Sequence, residues 1–76
     1  MSTVERLMDL AAARFSVDRG TLTSEGDVFQ SLGVDSMQVM SLLTEVERAF
    51  DVEIPDYELR DVRTFGDLAA CIDMRL

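Results

Sequence analysis

The chain has no histidine, no lysine and no tryptophan, and it has one cysteine, one proline and one tyrosine among 76 residues. Each shortage removes a class of function. Without histidine the usual base for a serine or cysteine nucleophile is missing. All seven cations are arginine, which stays protonated and cannot take over that role. No catalytic residue is expected, and the chain reads as something other than an enzyme. Cys71 cannot form an internal disulfide, and with no histidine beside it a zinc site of the usual ligand types is excluded. Neither Asp18 nor Asp61 opens a twelve-residue loop with oxygen ligands at alternate positions, a central glycine and a closing glutamate, so calcium is not expected and no metal is assigned. No apolar run approaches the roughly 18 residues of a membrane span, and no basic stretch precedes an apolar one at the N-terminus. A cytoplasmic protein without membrane insertion is expected.

What the chain has in quantity is acid. Fifteen carboxylates against seven arginines give a net charge of −8. Between Asp35 and Asp61 eight acids face only Arg48 and Arg60, so that segment alone carries −6. Such a surface repels phosphate backbones and anionic headgroups, which excludes nucleic acid as a partner and favours proteins with basic docking patches. At this length one small domain, residues 1–76, is expected, with stability of roughly 4 to 11 kcal/mol. Met1 and the compact ends lead to the expectation of a free-standing protein, and a monomer is expected.

The apolar pattern is helical. Ser2 with Glu5 three residues on is a capping-box signature, and Val4, Leu7, Met8, Ala11, Ala12 and Phe15 recur at helical spacing, predicting a helix over about Thr3 to Phe15. A long connection follows, from Ser16 to about Asp35, pinned to the core by Val28, Phe29 and Leu32. From Ser36 to Phe50, Val39, Leu42, Leu43, Val46, Ala49 and Phe50 fall three and four apart, with Gln38, Ser41, Glu45 and Arg48 opposite. Asp35 or Ser36 can cap this helix. Pro55 opens a short helical piece around Asp56 to Arg60. Thr64 with Asp67 starts a last helix whose inward set is Phe65, Leu68, Ala69, Ile72 and Leu76. The fold class is all-α, a small bundle of three main helices plus one short one.

The sequence Asp27-Val28-Phe29-Gln30-Ser31-Leu32-Gly33-Val34-Asp35-Ser36-Met37 is followed, after the second helix, by Phe50-Asp51-Val52-Glu53-Ile54-Pro55. On the tripeptide Asp35-Ser36-Met37 alone, the pair reads as an ordinary helix cap. The two blocks at this separation resemble the acyl carrier protein family, and the likeness runs along essentially the whole chain. The resemblance implies a 4'-phosphopantetheine arm, taken from coenzyme A and attached to Ser36, with Gly33, Asp35 and Met37 as motif support. The thiol of the arm would hold acyl intermediates as thioesters.

Further expectations follow from the resemblance. The partners are a phosphopantetheinyl transferase and acyl-loading and acyl-processing enzymes, which grip the second helix through Met37, Met40, Glu45, Glu47 and Ile54. Phe29, Leu43, Val46, Phe50, Ile54, Leu59, Val62, Leu68 and Ile72 form the core and, where it opens, an acyl pocket. Gln38, Ser41 and Arg48 depart from the acids that carriers of bacterial fatty-acid synthesis often show on this face. That points to a dedicated fatty-acid or polyketide-type pathway. An aminoacyl, D-alanyl or peptidyl carrier remains open, as does an unmodified acidic docking module.

Overall fold

The expected box at Ser2 closes in both directions: the Ser2 hydroxyl accepts from the Glu5 N–H at 3.2 Å, and the Glu5 carboxylate accepts from the Ser2 N–H. It starts α1, Thr3–Phe15, in a computed structural model that describes residues 2–76. The same device starts two more helices. Asp35 and Gln38 cap α3, Ser36–Phe50, and Thr64 and Asp67 cap α4, Phe65–Asp73. In each case two otherwise orphaned N–H groups of the first turn are satisfied by side chains.

The ends share a device too, one that composition conceals. Ser16, Gly33 and Asp51 each adopt left-handed backbone (φ 55°, 66° and 55°) just past a helix. A valine follows each of them. The N–H groups of Val17, Val34 and Val52 return to the carbonyls of Ala12, Phe29 and Glu47 at 3.0, 3.1 and 3.1 Å. This closes the last turn by the reverse bond of a Schellman-type ending and folds the valine back toward the core.

The connection between α1 and α3 is more ordered than its sequence indicates. It holds a 3-10 turn, Arg19–Thr21, and a five-residue helix α2, Val28–Leu32. Asp18 accepts from the Gly20 N–H, and Asp27 accepts from the Gln30 N–H at 2.9 Å. One and a half turns are too short to display a 3.6-residue period, which is why the sequence reads as loop there. The piece after Pro55 is a 3-10 segment, Asp56–Asp61.

α1 packs chiefly on α4 and then on α3. The most deeply buried side chains, Leu7, Leu42, Val46, Phe65, Leu68 and Ile72, come from these three helices and are joined by Val28 of α2. α4 stops at Asp73, so Leu76 lies outside it and is 69% exposed, not inward. Ala49 is likewise exposed.

A backbone clasp fixes α2 against the start of α4. Asp27 and Thr64 form an isolated antiparallel bridge, the Val28 N–H donates to Arg63 O at 2.8 Å, and the Gly66 N–H donates to Ser24 O at 2.8 Å. A Cβ on Gly66 would stand 3.1 Å from that same Ser24 carbonyl, so glycine allows the close approach. The clasp holds α2, and the Gly33 turn at its end delivers the chain to Asp35.

Candidate functional site

Ser36 is the first residue of α3 and is exposed. Capping falls to its neighbour. The Asp35 carboxylate accepts from the Gln38 N–H at 2.9 Å, the Asp35 carbonyl accepts from the Val39 N–H at 3.1 Å, and Gln38 Oε1 accepts from the Asp35 N–H at 3.2 Å. The Ser36 hydroxyl takes no part in this network. Of the first-turn donors, those of Ser36 and Met37 have no intrahelical carbonyl to reach, because the helix begins with them. An exposed hydroxyl therefore sits beside free N–H groups at the positive end of a fifteen-residue helix, an arrangement that suits a phosphodiester.

Gly33 supports this junction conformationally. Its φ of +66° turns the chain between α2 and α3, and a Cβ there would meet nothing within 4 Å, so backbone conformation and not crowding selects glycine. Met37 and Met40 are the exposed large apolar residues of the helix, at 82% and 41%. Met40, one turn on from Ser36, lies on the same side of α3 as the serine.

The other residues expected to meet a partner are engaged within the chain. Glu45 pairs with Arg14 of α1 at 3.2 Å (Nε to Oε1). The Glu47 carboxylate accepts from the Ile54 N–H at 3.0 Å, while its carbonyl accepts the N–H groups of Asp51 and Val52. Glu47 thus organises the turn that ends α3. Ile54 is 7% exposed and belongs to the core, so its side chain is not a surface contact, contrary to the expectation from sequence.

Of the expected core and pocket set, Leu43, Val46, Phe50, Ile54, Leu68 and Ile72 are buried, while Phe29, Leu59 and Val62 are half-buried around them. Of this set only Phe50 lines either of the two surface grooves. One, about 400 Å³, lies beside the start of α3 between Arg14, Phe15, Asp35, Met37, Gln38 and Ser41. The other, about 380 Å³, lies at the opposite end of α3, where Arg6 covers the Phe50 ring at 4.4 Å. Over the 3-10 segment, Glu58 and Arg75 form an ion pair at 2.6 Å that ties it to the residues after α4. Arg75 also donates to the Cys71 carbonyl at 3.1 Å. Burial pushes the Cys71 thiol up from its ordinary value, aided by the Glu58 charge, so it is held as a thiol. Among the described residues no His, Cys, Asp and Glu side chains cluster in a way that would hold a metal ion.

Sequence reasoning missed Arg14, which bridges α1 and α3. Its only signal in the sequence is a cation on the outward side of an amphipathic helix, and many residues answer to that description.

Residues 5–72 match the family described as "Phosphopantetheine attachment site". The chain is 40% identical over 63 residues to an acyl carrier protein of Syntrophobacter fumaroxidans, covering 83% of this chain and 78% of that one. It is 28% identical over 72 residues to an acyl carrier protein of Amoebophilus asiaticus, covering 95% and 90%.

Proposed function

Because the chain belongs to the acyl carrier protein family, we propose that Ser36 is its attachment residue, loaded by a phosphopantetheinyl transferase and read by acyl-loading and acyl-processing enzymes. The protein is a carrier and not a catalyst, and 4'-phosphopantetheine is its covalent group. The thiol of that arm holds the acyl group as a thioester. The chain's own task is to present the hydroxyl, stabilise the anion formed on it and offer a surface.

The observation that carries the assignment is the division of labour at the start of α3: Asp35 caps the helix and Ser36 does not. A serine that only capped would direct its oxygen at the Gln38 or Val39 N–H. The test is intact mass after incubation with coenzyme A and a broad-specificity transferase. The native chain should gain one phosphopantetheine and Ser36→Ala none. Equal gain by both chains, or none by either, would overturn the assignment.

Contact with partners is assigned to the α3 face that carries Met37, Met40 and Glu45. Glu47 and Ile54 act beneath that face, through the turn after the helix. A dedicated pathway fits the uncharged Gln38 and Ser41 and the cationic Arg48; the carrier is proposed to work there as a cytoplasmic monomer. The closed packing around Leu43, Val46 and Leu68 favours short or polar cargo. Leu59 and Val62 are only half-buried against that core, so they are the side chains a longer chain would displace most readily. Burial at about 0.8 kcal/mol per methylene rewards such an entry, so a long chain would raise the melting temperature of the loaded protein and a short one would leave it unchanged. The motif Asp35-Ser36-Met37 is shared with D-alanyl carriers, and loading assays with acyl and aminoacyl donors separate the two cargoes.

A further inference from the structure

Three helices of this chain begin with the same reciprocal cap, yet the side chain that closes it differs. Glu5 closes α1 and Asp67 closes α4, whereas neutral Gln38 closes α3. An acid would close the α3 box equally well and would suit the helix dipole better. At α3 the one acid of the box is the capping Asp35, whose carboxylate is engaged by the Gln38 N–H, and from Ser36 to Thr44 the helix carries no ionisable side chain.

The first acid beyond that stretch, Glu45, is neutralised from another helix. Arg14, near the end of α1, pairs its Nε with Glu45 at 3.2 Å and donates Nη2 to the Ser41 hydroxyl. With the capping Asp35 it lines the groove beside Met37, so its guanidinium lies on the surface that a partner gripping α3 would cover. Stability does not account for this placement. Both side chains are over a third exposed, and exposed pairs contribute about 0 to 1 kcal/mol. The buried contacts of Leu7, Ala11, Leu42 and Val46 already hold α1 and α3 together. A charge cancelled on a contact surface acts on partner choice, through association rate and its salt dependence.

We propose that Arg14 is a specificity-determining residue: by cancelling Glu45 it hides this carrier from enzymes that dock through a cluster of basic residues, leaving it to enzymes whose docking patch is apolar, weakly charged and shaped to take Met37. The proposal rests on the carrier reading above. It differs in sign from a purely structural role, in which removing Arg14 only weakens interactions.

The experiment measures KM for the protein substrate in coenzyme A-dependent loading of Ser36. The probe is a broad-specificity phosphopantetheinyl transferase chosen for a basic docking patch. Native chain, Arg14→Gln and Arg14→Gln/Glu45→Gln are compared at low and high salt, and thermal melts confirm that each is folded. Arg14→Gln should lower KM roughly twofold to fivefold at low salt, the scale of one exposed ion pair. The gain should vanish at high salt and in the double variant. An unchanged or raised KM for Arg14→Gln overturns the proposal, as does a gain that survives high salt or the loss of Glu45. Absence of loading in all three chains overturns the carrier reading and this proposal with it, whereas loading of all three with equal KM overturns only the role of Arg14.

Discussion

Asp35 and Ser36 are adjacent residues of similar capping ability, and the fold assigns them different work. The boxes at Ser2 and Thr64 were legible in the sequence because Ser or Thr followed three residues on by Glu or Asp is a local pattern, whereas at α3 the sequence left Asp35 and Ser36 both open as caps. The last helical residues, Phe15 and Phe50, were legible too, but the left-handed turns just past them were not, because Ser16 and Asp51 occupy a conformation that glycine ordinarily marks. That difference gives a paired prediction. Ser16→Gly should raise stability by about 0.5 to 1 kcal/mol, since left-handed backbone costs a Cβ-bearing residue more than the added flexibility of glycine costs the fold. Gly33→Ala should lower it by about 1 kcal/mol, with no steric component because space is free around that position. Denaturant midpoints at constant slope would check both. Glu47 gives a third test. Glu47→Ala leaves the part-buried Ile54 N–H without its acceptor and should cost about 1 to 3 kcal/mol, whereas Glu47→Gln, which still accepts, should cost much less. Equal losses would mean that the carboxylate acts through its charge.

Periodicity located α1, α3 and α4 because each is long enough to repeat its apolar stripe. It passed over α2, whose five residues are set by the Asp27 cap and the clasp with the start of α4. The family was legible for the opposite reason: the blocks Asp27–Met37 and Phe50–Pro55 are read from the sequence without tertiary context, and Ser36 is the residue proposed from them. The bridge from Arg14 to Glu45 and Ser41 joins residues far apart in the chain, and no single-sequence pattern marks it. Among the elements, the 3-10 segment Asp56–Asp61 has no buried residue of its own and depends on its ties. Arg75→Gln removes the ion pair to Glu58, and amide exchange over residues 56–62 should quicken while that of α1 stays unchanged. Uniform quickening throughout the chain would mean that Arg75 supports the whole fold.

For the molecule as a whole, the net charge of −8 and the caps pull in different pH ranges. The carboxyl of Glu5 is held below its ordinary value by hydrogen bonds from the Ser2 hydroxyl and N–H, and that of Asp67 by the N–H groups of Arg63 and Thr64. A carboxylate depressed in the folded state contributes stability above its unfolded pKa and loses it as pH falls through the folded one. Both contributions are therefore intact at pH 5 and disappear below about pH 4. From pH 7 to 5 the first protons relieve repulsion among the crowded acids. The melting temperature should hold or rise over that range and then drop in acid; a steady fall from pH 7 to 5 would contradict this. The clasp between residues 24–28 and 63–66 has another consequence, in the order of assembly. Its halves lie nearly half the chain apart, and closing so long a loop costs more entropy than closing a helical turn, so the helices can form before the clasp does. A nascent chain still waiting for residues 63–66 cannot anchor α2, and the junction after it lacks its final geometry. The hydroxyl of Ser36 is then held in its finished setting only once synthesis has passed the start of α4.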